Sequence, residues 1–249
     1  MQLPLLIQTA QWSRLVVFLY ALTSVLGCRS DALQYSTSEA QTANSAPATS
    51  AVHGLDVATG WSSRIELFTE SKLNDDSVEA TIGAIESWND AVGYDLLGYA
   101  GSLVHNRGNE LFASLDDGMT VIYGESAWKD TTGKNSQTLA TTVWEQDGDS
   151  GAIFRGDIIL NTESYEFVDV INFIYNGSKD MENWQLVADA QTVIVHEIGH
   201  LIGLGHVDEH IDAESVMHAR TQVGPDNHLR EPSLGDQNLA RLLYVSDEE

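Results

Sequence analysis

Apolar positions recur along this chain with two different periods. Arg64-Ile65-Glu66-Leu67-Phe68 alternates polar and apolar as a half-buried strand does. Over residues 77–95, Val78, Ile82, Ile85, Trp88 and Val92 instead return at helical spacing and form one apolar face. Asp76 or Ser77 stands where that helix needs a cap. Strand-like runs follow at residues 111–114, 119–123 and 139–145, separated by turns that contain Gly and Asp, and residues 153–161 read as a further strand bent near Gly156. A second helix is predicted over residues 186–204, with Leu186, Val187, Ala190, Val193, Ile194, Ile198, Leu201 and Ile202 on its buried face. A strand, a helix, several strands and a second helix predict an α+β fold, an α/β sandwich with helices packed on one sheet.

The first residues follow a different pattern. No acidic residue precedes Asp31, Arg14 is the only basic residue before Cys28, and residues 15–22 are apolar throughout. Residues 1–27 therefore read as a signal peptide, with an apolar run too short to span a bilayer as a mature helix. The run ends Val25-Leu26-Gly27-Cys28, which resembles a bacterial lipobox and makes Cys28 the expected lipidation site, although Leu26 is bulkier than that position usually holds. The expectation is an exported protein, lipid-anchored at the cell envelope or else secreted. Residues 28–59, rich in Ser, Thr, Ala and Gln, have too little apolar surface to fold alone and read as a tether, leaving residues 60–249 as the folded domain.

Composition narrows the function. With 37 acidic and 12 basic residues the formal net charge is −25, a field that repels nucleic acid and anionic lipid, so neither is an expected partner. Membrane contact is expected only through a lipid on Cys28. That residue is the only cysteine, which rules out an intrachain disulfide and a cysteine-based zinc site. A monomer is expected.

Chemistry is concentrated in the second helix, in His196-Glu197-Ile198-Gly199-His200-Leu201-Ile202-Gly203-Leu204-Gly205-His206. His196 and His200 are four residues apart, so on a helix both imidazoles face one way and can reach a single ion. Glu197 lies about 100° further round, within reach of a water beside that ion. Gly203 can take positive φ, ending the helix so that the chain turns back and delivers His206 as third ligand. Three protein ligands leave a position open, the mark of a catalytic rather than a structural zinc. A bare H-E-x-x-H arises by chance in roughly one or two of every hundred such chains, and the added Gly203 and His206 lower this below about one in ten thousand.

On these residues the chain resembles the metzincins, and among them the matrixin-like peptidases of bacteria. The resemblance runs over roughly residues 61–245. It includes Ser215-Val216-Met217, similar to the Met-turn in which a methionine, here Met217, packs beneath the histidines, and residues 234–244, similar to the C-terminal helix of such domains. It implies a mixed, twisted five-stranded sheet with two long helices, and a zinc-dependent endopeptidase with Glu197 as general base. It also implies a protein or peptide substrate that adds as a strand to residues 139–145, with Ala140, Thr141, Thr142 and Val143 facing it. The chain departs from subfamily patterns at Val207, which follows the third histidine, and at His218-Ala219, where some relatives carry a tyrosine ligand.

Two matters stay open. Asp147, Asp149 and nearby Asp157 make an oxygen-rich, glycine-containing region suited to calcium, with a solvated turn as the alternative. A catalytically silent surface module that binds protein on the same fold competes with the peptidase, though an intact Glu197 speaks against it.

Overall fold

The computed structural model describes residues 23–28, 54–57, 59–104, 118–175, 186–224 and 229–245. The strand expected at 111–114 lies outside them. Five strands make the body of the sheet: β2 (Ile65–Glu70), β3 (Leu97–Leu103), β4 (Thr120–Glu125), β5 (Thr138–Gln146) and β6 (Ile153–Asn161), in the order β3-β2-β4-β6-β5. Neighbours pair in parallel except β5, which runs antiparallel to β6. Beyond β5 the sheet continues through β1 (Thr23–Cys28), antiparallel to β5, and β9 (Arg220–Gln222), parallel to β1. Cys28, the expected lipid site, is the last residue of β1, opposite Gln222.

The two long helices, α1 (Asp75–Val92) and α4 (Ala190–Leu201), pack on each other and on one face of the sheet. Between them Trp88, Ile194, Ile198 and Leu201 meet Leu67, Ile122, Ile158 and Leu160 in the main core. Because strand side chains alternate between faces, Val121, Tyr123 and Ile159 point the other way and form a second core with Trp128 of α2 (Trp128–Thr132). The main helix of the first half begins earlier than its apolar pattern suggests. Asn74, rather than Asp76 or Ser77, is the N-cap, its side chain accepting from the Ser77 amide at 2.9 Å, and Asp75 and Asp76 then fall in the first turn, where the helix dipole favours them.

The second helix also differs from expectation. Residues 187–189 form a short strand, β8 (Val187–Asp189), parallel to β7 (Glu166–Val168), with α3 (Val170–Tyr175) following β7. Asp189 then caps α4, accepting from the Thr192 amide at 3.0 Å and hydroxyl at 2.8 Å. Apolar periodicity cannot separate a buried strand leading into a helix from the helix itself, whereas the Asp189 cap marks the boundary. The last helix, α5 (Leu234–Tyr244), starts at a capping box of Ser233 and Asp236.

Packing reaches ahead of residue 60. Leu55 bridges Leu204, Thr59 bridges Ala152, and Val57 is buried with Trp144 and Ile153, so the end of the stretch read as tether lies against the domain.

Candidate metal centre

Helical spacing brings His196 and His200 together as expected, and a turn brings the third ring to them. Gly203 has φ +103, its amide donates to the His200 carbonyl at 2.9 Å, and the Leu204 amide donates to the Gly199 carbonyl at 2.9 Å. This pair of bonds is a Schellman motif, which stops α4 and reverses the chain toward His206. The result is three Nε2 atoms in one place, His200 to His196 at 2.9 Å and His200 to His206 at 3.2 Å.

The opposite nitrogens decide what this convergence means. His196 Nδ1 is 2.7 Å from the Val216 carbonyl and His200 Nδ1 is 2.7 Å from the Leu204 carbonyl, and a carbonyl can only accept. The protons of His196 and His200 therefore sit on Nδ1, and their Nε2 lone pairs face each other and the His206 ring. Burial keeps the rings neutral: it lowers the His196 pKa to about 3 and that of His206 to about 4, and holds His200 well below its ordinary value. Converging lone pairs on buried neutral rings fit a cation. A tetrahedral ion with nitrogens at about 2.0–2.1 Å separates them by roughly 3.3 Å, close to the spacing seen. Among the described residues these three are the only His, Cys, Asp or Glu cluster with such convergence.

Glu197 is fully buried on the same helix. Its Oε2 accepts from the Thr142 hydroxyl at 2.6 Å, while Oε1 has no partner. Burial pushes the carboxyl up to about 8, against the opposing pull of the Thr142 hydroxyl and the Lys134 ammonium. Met217 is fully buried, and its sulfur lies against Gly199, where any Cβ would overlap it. The Met-turn is bound at both ends. Asp236 of α5 accepts from the Ser215 hydroxyl at 2.6 Å and the Val216 amide at 2.9 Å, and Val207, next to the third histidine, donates to the Met217 carbonyl at 2.9 Å.

Several residues that hold this centre escaped the sequence reading. Trp88 donates to the Val195 carbonyl at 2.8 Å, Trp144 to that of His200 at 3.0 Å, Trp61 to that of Leu201 at 2.7 Å and Tyr244 to that of Ile202 at 2.7 Å. Four aromatic donors thus fix carbonyls of the helix that carries the histidines, three of them in its final turn, where carbonyls have no helical partner. In the sequence each reads as ordinary core, since nothing local says where an indole N–H will point.

Ala140, Thr141, Thr142 and Val143, expected to face a substrate strand, lie in β5 beside this helix, and the outer edge of β5 is paired: Val25, Ser24 and Thr23 of β1 stand opposite Ala140, Thr141 and Thr142. The acidic residues considered for calcium are not gathered. Asp147 turns onto its own loop, accepting from the amides of Asp149 and Ser150 at 3.1 and 2.8 Å, and Asp157 is buried in the sheet, accepting from the Val121 amide at 2.7 Å.

A mixed sheet backed by two helices, with three histidines at the end of the second and a methionine turn beneath them, defines a metzincin-type domain. A family comparison says which kind: the matrixin profile matches residues 33–245, and the chain belongs to the matrixin family. No curated protein matches the chain.

Proposed function

We propose that the protein is a zinc-dependent endopeptidase, with His196, His200 and His206 as ligands and Glu197 as the group that moves the proton. The observation that carries this reading is the convergence of three histidine Nε2 atoms, those of His196 and His200 unprotonated, beside a Glu197 that keeps one buried, unpartnered carboxylate oxygen. A pure binding module has no use for such an oxygen, and leaving it buried is costly. When bound, zinc acidifies water toward neutrality and polarises a carbonyl oxygen. Glu197 Oε1 takes the water proton and returns it to the leaving amine, and the hydroxyl of Thr142 holds the other oxygen so that Oε1 stays aimed. His196 and His200 are kept in one tautomer by the Val216 and Leu204 carbonyls. Residues 23–28 pair along the β5 edge, so an extended peptide that adds there as a strand does so in place of β1.

The test is elemental analysis of the purified chain, with casein cleavage followed with and without a chelator. About one zinc per chain and chelator-sensitive cleavage are expected. Glu197→Gln is expected to keep its zinc and lose about a hundred- to ten-thousand-fold in kcat. A chain that takes up no zinc, or a Glu197→Gln variant that cleaves at the full rate, would overturn the reading.

A further inference from the structure

A carboxylate outside the histidine motif stands beside the centre. Residues 54–56 lie antiparallel on the turn that leads to the third histidine: the Asp56 amide donates to the Gly203 carbonyl at 3.0 Å, the Gly205 amide donates to the Gly54 carbonyl at 2.9 Å, and Leu55 bridges Leu204. This strap carries the Asp56 side chain to the outer side of His200, with Oδ2 at 3.8 Å from Nδ1. The side chain is only 30% exposed. A Cβ on Gly205 would come within 2.5 Å of Asp56 Oδ1, so the carboxylate occupies the space that glycine leaves there.

Among the described residues no basic side chain other than His200 stands beside this carboxylate. Asp56 lies just past the C-terminal end of α4, the negative end of the helix dipole, where an anion is disfavoured. The chain already carries a net charge of −25. A cation changes the balance. Three neutral imidazoles, a divalent ion and one Glu197 carboxylate leave a net positive charge in a buried site, and a second carboxylate against the outer edge of one ligand offsets it.

We propose that Asp56 is a positioning residue of the metal centre, compensating the charge of the ion through space across the His200 ring, whose Nδ1 proton the Leu204 carbonyl holds, while its strap holds the 203–205 turn from which His206 departs. This rests on the metal reading above. The strap assigns the residues just before the domain's first long strand a part in metal retention, which no motif in them announces.

The experiment is zinc affinity, measured on the full chain by competition with a chromogenic chelator, alongside the melting temperature of the chelated protein. Asp56→Asn removes the charge at nearly constant shape and is expected to weaken zinc by about 10–100-fold. Gly205→Ala, acting from the other side, is expected to displace the carboxylate and weaken zinc to a similar degree, with the double variant little worse than either single one. Loss of melting temperature in the chelated variants with zinc affinity unchanged would assign Asp56 a structural role only and overturn the proposal, as would full additivity of the two substitutions. Failure of the unaltered protein to bind zinc would instead sink the metal reading, so the two failures are distinguishable.

Discussion

Two oxygens of Glu197 stand in different circumstances, and the difference is set by a residue 55 positions away. Thr142 grips Oε2 and leaves Oε1 without a partner. Thr142→Val keeps the volume but removes the donor, so kcat is expected to fall roughly tenfold with zinc content unchanged, read from steady-state kinetics and metal analysis. Gly199 poses an opposite test. Alanine in a helix gains about 1 kcal/mol over glycine, but here a Cβ would overlap the Met217 sulfur and come within 3.0 Å of Trp88. Overpacking of this kind costs about 1–3 kcal/mol and is expected to win, so Gly199→Ala should unfold at lower denaturant than the parent. At this scale the histidines and Glu197 were legible because their spacing alone places them on one face. Thr142 was named only as part of a strand, because which of its neighbours it would bond depends on how that strand meets the helix.

Among the elements, α4 shows how a helix end gathers three histidines. Its final turn is closed by a Schellman motif and by Trp144, Trp61 and Tyr244, drawn from β5, the segment before β2, and α5. The Met-turn depends on α5 in the same way, since Asp236 accepts from Ser215 and Val216, and Val216 in turn accepts from His196. Asp236→Ala leaves buried donors unpaired and is expected to cost about 3 kcal/mol, measured by chemical denaturation, with weaker zinc binding through the released His196. Strong periodicity made α1, β5 and β6 readable within a few residues, whereas α5 was expected from the family resemblance alone. The strand β3, with Gly98 and Gly101 inside Leu97–Leu103, gave no alternation to read, and β8 was absorbed into the helix that follows it. Short or glycine-bearing strands exist because a neighbouring strand pairs with them, and that partner is distant in the chain.

At the scale of the whole molecule, metal and fold are linked through protons. With zinc chelated, burial keeps the three histidines neutral, His196 at about 3, His206 at about 4 and His200 well below the ordinary value, against 6.5 when solvated. As pH falls from 6.5 toward 4 the unfolded chain takes up protons that the folded one refuses, so stability is lost on acidification. Glu197 and Asp56, pushed up by burial to about 8 and about 6, act in the opposite sense, but two carboxyls do not outweigh three imidazoles over that window. The melting temperature of the chelated protein is therefore expected to fall between pH 6.5 and 4, as scanning calorimetry would show, and a flat profile would mean that the two carboxyls offset the three rings. The sequence by itself determined the three-histidine cluster with Glu197 beside it, the turn at Gly203 and the class of helices packed on one sheet, because each rests on spacing within a single element or a single turn. Only the tertiary structure decided which aromatic donors hold the helix end, that Asp236 anchors the Met-turn, that residues 54–57 join the domain with Asp56 beside His200, and that the β5 edge is covered by β1. Those contacts join segments far apart in the chain, and their geometry follows from how the layers pack, which no local pattern encodes.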